Sequence, residues 1–171
     1  MSEQNLEQKL IAAYDKMIGR IHQLLDNAEQ QALPSLQKNI DKAKQKAIDL
    51  KELTHDEADK LAEYVHRDVN DLATHLSQSG EEFKSWFSFD LQLVEDRVLE
   101  TFAKVADKTS LQLAQLASQA KRSQEYHTGE ITSIGTLACQ DCEGLLHFKK
   151  TSRIPPCPHC SKTIFVRTKR H

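Results

Sequence analysis

The chain has 171 residues, 28% of them charged, and a formal net charge of −2. It is long enough for one ordinary domain or two small ones, and it is not a polycation built to coat nucleic acid. No run approaches 18 apolar residues, so no spanning helix is expected, and Met1-Ser2-Glu3-Gln4-Asn5-Leu6-Glu7 lacks the basic and apolar regions of a secretory signal. Charge is uneven along the chain. Residues 1–128 carry 16 Lys+Arg against 22 Asp+Glu, whereas residues 129–171 carry 7 against 3. A mildly basic module therefore follows an acidic one, a weak pointer to an anionic partner.

The first 128 residues contain few helix breakers and show helical periodicity. Leu10, Tyr14, Met17, Ile21, Leu24 and Ala28 step by four and three, flanked by Ile11, Ile18 and Leu25. This wide apolar stripe predicts a helix packed along one face. Pro34 should end or kink it near Leu33. The pattern resumes with Leu36, Ile40, Ala43, Ala47 and Leu50. Thr54-His55-Asp56-Glu57 has the form of a capping box, opening a third helix with Ala58, Leu61, Ala62, Val65, Val69, Leu72 and Leu76 on one face. Phe83, Trp86, Phe87 and Phe89 crowd together before a last helix, expected to open around residues 88–90 and to carry Leu91, Val94, Val98, Phe102, Val105, Leu113, Leu116 and Ala120. The aromatic cluster reads first as a plug where helices turn over one another, and second as an exposed docking patch. Long elements and short loops predict antiparallel neighbours.

Three of the five glycines and three of the four prolines lie after residue 128. That shift places a boundary near residues 126–129 and divides the chain into a helical region, 1–127, and a turn-rich region, 128–171. Residues 130–132, 136–138, 145–148 and 163–167 read as short strands, with a turn at 133–135. All four cysteines lie here, as Cys139-Gln140-Asp141-Cys142 and Cys157-Pro158-His159-Cys160, giving C-x2-C-x14-C-x2-C. Two thiolates from one tight turn reach a single metal, and two such turns complete a tetrahedron. The expected ligands are Cys139, Cys142, Cys157 and Cys160, holding one structural zinc ion. The same spacing also holds iron in rubredoxin-like proteins. His159 reads as an exposed turn residue rather than a fifth ligand. About forty residues bury too little apolar surface to fold alone, so the metal is expected to supply the missing free energy. The expected fold is mainly α: an elongated antiparallel helical bundle or coiled-coil hairpin followed by a small C-terminal β zinc ribbon of rubredoxin-like form.

Tyr126-His127-Thr128-Gly129-Glu130-Ile131, Gly135-Thr136-Leu137, the first knuckle and Pro156-Cys157-Pro158-His159-Cys160 resemble the YbeL-like family of bacterial zinc-ribbon-containing proteins. The helical part is similar in plan, through Glu52-Leu53-Thr54 and Ala106-Asp107-Lys108-Thr109. The resemblance implies a helical region with a C-terminal ribbon and the same four cysteine ligands, and it implies no activity. Ser161 follows the second knuckle where such ribbons often carry glycine.

No phosphate-binding, dinucleotide-binding, metalloprotease or nucleophile-elbow motif is present, so no catalytic residue and no small-molecule substrate are expected. The principal reading is a non-enzymatic zinc-binding adaptor, a helical stalk with a ribbon head, meeting a protein partner or a second copy of itself through the helices. The alternative is nucleic-acid binding by the ribbon. Lys149, Lys150, Arg153, Arg167, Lys169 and Arg170 would contact phosphates, with Phe148 or Phe165 stacking on bases. Cysteines used only as two knuckles suit a reducing compartment, most simply the cytoplasm.

Overall fold

The computed structural model describes residues 3–26, 36–79 and 125–168. Three helices come first: α1 (Glu3–Asp26), α2 (Leu36–Asp49) and α3 (His55–Ser79). Six short strands follow: β1 (Glu125–His127), β2 (Ile131–Thr132), β3 (Gly135–Cys139), β4 (Leu145–Phe148), β5 (Ser152–Arg153) and β6 (Ile164–Arg167). The aromatic cluster at residues 83–89, the expected last helix and the Pro34 break lie outside the described residues.

Among the described residues the apolar stripes form as the periodicity requires, except that Leu50, expected to continue the stripe of α2, lies just past its end and is exposed. Tyr14, Met17, Ile18 and Ile21 of α1, Ile40, Ala43 and Ala47 of α2, and Ala58, Leu61, Val65 and Val69 of α3 are buried in one cluster. The alanines at five of the buried positions let the helices approach closely. The capping box is reciprocal: the Thr54 amide donates to Glu57 Oε2 at 2.9 Å, and the Glu57 amide donates to Thr54 Oγ1 at 3.3 Å. Glu57 also accepts from Lys9 Nζ at 2.7 Å, which ties the start of α3 to α1.

α2 ends in a left-handed cap. Lys51 has φ of 56°, its amide donates to Ile48 O, and the Glu52 amide donates to Ala47 O. This is the Schellman pattern, normally built with glycine. The left-handed region costs an L-residue about 1–2 kcal/mol, against about 0.5–1 kcal/mol for the extra chain entropy of glycine. Lys51→Gly is therefore expected to stabilise by about 0.5–1 kcal/mol, seen as a higher urea midpoint at unchanged slope.

The expected elongated coiled-coil hairpin is not what these helices build. α1, α2 and α3 each contact the other two, and their shared core is completed by Ile131 and Ile134 from the cysteine-rich region. A 3.6-residue apolar repeat specifies which face is buried but not what covers it. Here the cover is partly the ribbon itself, so the ribbon lies against the helices rather than beyond the end of a stalk.

β1, β6, β3 and β4 form one antiparallel sheet in that order, and β2 pairs with β5 separately. The segments read as neighbouring strands around residues 133–135 thus enter different sheets: β2 meets Ser152 and Arg153, while β3 meets β4 and β6. A second apolar cluster of Tyr126, Leu137, Phe148, Ile154 and Phe165 includes Cys139 and Cys157.

Candidate metal centre and the interface that carries it

The two knuckles are built alike. In the first, the Cys139 amide donates to Gly144 O at 2.9 Å and the Glu143 amide donates to Cys139 O at 3.0 Å. In the second, the Cys157 amide donates to Lys162 O at 2.9 Å and the Ser161 amide donates to Cys157 O at 2.8 Å. Glu143 and Ser161, each just after the second cysteine of its knuckle, take the left-handed conformation, with φ of 57° and 60°. Ser161 thus adopts the conformation that explains a glycine preference there.

These turns aim four sulfurs at one point. Cys139 Sγ lies 3.5 Å from Cys160 Sγ and Cys142 Sγ lies 3.6 Å from Cys157 Sγ, and all four Sγ atoms lie within 4.8 Å of one another. Four sulfurs bound tetrahedrally at about 2.3 Å would stand about 3.8 Å apart. The second knuckle packs closely on Gly144 of the first: a methyl group there would lie 2.6 Å from His159 Cδ2 and 3.3 Å from Cys142 Sγ.

The electrostatics also fit a cation. Burial raises the Cys157 thiol, but the backbone amides of Cys160 and His159 and the neighbouring thiols outweigh burial and bring it down to about 6. At Cys160 the Lys162 amide favours the thiolate, but burial and the other three thiols push it up to about 12. Four thiolates this close cannot all ionise without a positive charge between them, and a divalent ion removes that repulsion. Donor type, count and spacing match a closed four-sulfur site. When bound, the ion would hold the two knuckles together. Among the described residues no other group of three or more His, Cys, Asp or Glu side chains is arranged to hold a metal.

A family model described as a zinc-ribbon containing domain matches residues 23–169. The chain belongs to this zinc-ribbon family. Similar proteins include the uncharacterised YbeL of Escherichia coli K12, 26% identical over 160 residues that cover 93% of this chain and 96% of the relative. YbeL proteins from the O6:H1 and O157:H7 strains match at the same identity and coverage. No solved structure matches significantly.

The basic residues proposed for phosphate contact do not form one exposed patch. Arg167 turns inward, and its side chain is 6% exposed. It donates to Tyr126 Oη at 3.2 Å, Thr132 Oγ1 at 3.0 Å and Ile134 O at 3.4 Å, and it pairs with Asp68 at 3.4 Å. A guanidinium held this way is not available to phosphate, which corrects its expected role. Arg153 donates to Gly129 O at 3.2 Å and lies about 4 Å from Glu3 and Glu7. Lys149 and Lys150 are exposed, and Lys150 lines an open groove with Glu7 and Asp15. Lys169 and Arg170 lie outside the described residues. Phe148 and Phe165 are buried core residues, so neither is placed to stack on a base.

The element that the sequence reading missed is a buried polar interface between α3 and the ribbon. Asp68 is fully buried. Its Oδ2 accepts from Tyr14 Oη at 2.8 Å, Thr132 Oγ1 at 3.1 Å and the Ser133 amide at 2.7 Å, while its Oδ1 faces Arg67 and Arg167 at 3.3 and 3.4 Å. Arg67 also donates to Glu130 and to Ile131 O, and its guanidinium lies 3.7 Å from the centroid of the Tyr126 ring. The Tyr126 hydroxyl donates to Asp71. A signal for this interface was present. Asp68 lies seven residues after Leu61 and three after Val65, on the inner stripe of α3. Arg167 stands two residues from Phe165 on β6 and so shares its inward face.

The two carboxylates respond oppositely to this site. Burial would raise Asp68, but Arg67, Arg167, the Ser133 amide and the Tyr14 hydroxyl outweigh burial and hold it below the ordinary range. Its stabilisation is present above the unfolded value of about 4 and is lost as pH falls. At Asp71 burial wins over Arg167 and Tyr126, aided by the charge of Asp68, and pushes the carboxyl up to about 6. Its folded value lies above its unfolded one, so its contribution is full below about pH 4 and is lost as pH rises through 6. Asp71→Asn is expected to flatten this fall in stability between pH 4 and 6, leaving neutral-pH stability equal or higher. Urea titrations at several pH values measure it, and an unchanged profile would contradict the assignment.

Proposed function

We propose that the protein is a non-enzymatic, zinc-binding interaction protein. Its four-cysteine centre is structural, and the knuckle surface beside the helical layer meets another protein. The convergence of four thiols supports this reading. Four sulfur ligands close a tetrahedral zinc and leave no position for a water or a substrate, as a catalytic zinc would require. The inward turn of Arg167 and the engagement of Arg153 with acidic residues weigh against the ribbon as a phosphate-binding head. Exposed groups at the knuckles are of mixed character, with Gln140, Asp141, Glu143, Pro158, His159 and Lys162 at the surface. Such a surface suits a polar protein interface better than a uniformly anionic ligand. This reading sets the protein in the cytoplasm, where thiols remain reduced and available to metal.

The test is a titration of zinc-loaded full-length protein with duplex and single-stranded nucleic acid, from low to near-physiological salt. The expected result is no binding at any salt concentration. Micromolar binding with a steep negative salt slope would overturn the reading in favour of a nucleic-acid head.

A further inference from the structure

We infer that the metal centre and the buried Asp68 interface form one zinc-responsive latch, in which metal occupancy decides whether the ribbon stays closed over α1 and α3. This goes beyond a structural zinc, which need only hold the ribbon's own turns together. The connection runs through β3 and β6. Cys139, the last residue of β3, lies opposite Phe165, and the Gln140 amide donates to Ile164 O at 3.0 Å. Two residues along the same ladder, Leu137 lies opposite Arg167. The metal ligand and the arginine that enters the Asp68 pocket are thus separated by two steps of one strand pair, roughly 7 Å. β6 begins four residues after Cys160, so the second knuckle sets where this strand starts. Tyr126 supplies a second connection. Its ring belongs to the apolar cluster that contains Cys139 and Cys157, while its hydroxyl reaches Asp71 and accepts from Arg167.

The latch has separable halves. On the helical side stand Tyr14, Arg67, Asp68 and Asp71. On the ribbon side stand Tyr126, Glu130, Thr132, the Ser133 amide and Arg167. Beneath them Ile131 and Ile134 enter the helical core. Without metal the thiol cluster has little to hold β3 and β6 in register. Arg167 and the Ser133 amide then lose the positions that Asp68 requires. Opening would uncover Tyr14, Val65 and Val69 together with a buried carboxylate. By linkage the effect is reciprocal: disturbing the Asp68 pocket must weaken zinc binding by the factor with which zinc strengthens the pocket.

Two measurements on the full chain test this. In hydrogen exchange, stripping zinc with EDTA is expected to deprotect the amides at 131–134 and the facing turns of α3 around 65–71, while α2 amides around Ala43–Ala47 stay protected. In competition with a chromophoric chelator, Arg167→Met is expected to weaken zinc affinity about tenfold or more, within the usual range of coupling factors. Thr132→Val is a milder change that removes one hydroxyl from the pocket; it is expected to weaken affinity several-fold and keeps the test valid if Arg167→Met does not fold. Lys44→Ala, which breaks an exposed pair with Asp59 between α2 and α3, is expected to leave zinc affinity unchanged. Zinc bound at wild-type affinity by Thr132→Val, or 131–134 remaining protected after zinc is removed, would overturn the latch. Either result would leave the proposed function intact.

Discussion

Chelation of the metal, or substitution of Cys157 by serine, is expected to unfold the ribbon. The four-stranded sheet of residues 125–168 surrounds one small apolar cluster, and the ribbon's other buried apolar residues, Ile131 and Ile134, belong to the helical core, so the ribbon's own burial is too little to offset its chain entropy. Zinc binding to closed cysteine sites contributes about 10–16 kcal/mol near neutral pH, as much as the entire stability of a typical single domain. Cys157 is buried and lies in that cluster, so the serine variant loses a ligand and places a hydroxyl in apolar surroundings. The expected observation is loss of zinc stoichiometry, with collapse of the strand contribution in circular dichroism. A Cys157→Ser protein that retained its β signal in excess chelator would show that the sheets do not need the metal.

Asp68→Ala is expected to cost about 3–5 kcal/mol, because removing one partner of a buried charge network leaves the others uncompensated. The substitution removes the buried counter-charge shared by Arg67 and Arg167, whose side chains are 11% and 6% exposed, leaving Arg67 to Glu130 and Arg167 to the more distant Asp71, and takes their acceptor from the Ser133 amide and the Tyr14 hydroxyl. A loss of this size is a third or more of a typical domain's stability. Adding Arg167→Met should recover part of the loss, because it removes one of the two buried cations that Asp68 had neutralised. A double-mutant cycle measures this directly, and strict additivity of the two effects would contradict their contact.

What was legible in the sequence divides along physical lines. The stripes of α1–α3, the Thr54–Glu57 capping box and the cysteine spacing are local patterns, and among the described residues they appear where the sequence put them, apart from Leu50, which is exposed. What covers each stripe is a tertiary property. Ile131 and Ile134 lie in a short turn-rich segment whose own sequence says nothing of helices, yet both complete the core of α1–α3. The pairing of β2 with β5 rests on two residues from each strand, too few for any alternation to show. Arg167 read as one of the ribbon's basic residues available to phosphate, because charge alone does not say which way a side chain points. Only its parity with Phe165 argued otherwise, and that argument needs the sheet to be known. Asp68 was hidden in the same way among the many charges of α3, although its position on the inner stripe marked it as a carboxylate in need of buried partners.

The most direct test of a closed, structural four-thiolate zinc is X-ray absorption at the metal edge of the purified full-length protein, together with metal content. One zinc per chain with four sulfurs at about 2.3 Å is the expected result. Iron in place of zinc, or three sulfurs with a nitrogen or oxygen ligand exchanging with solvent, would contradict it, and the second outcome would reopen the site to chemistry.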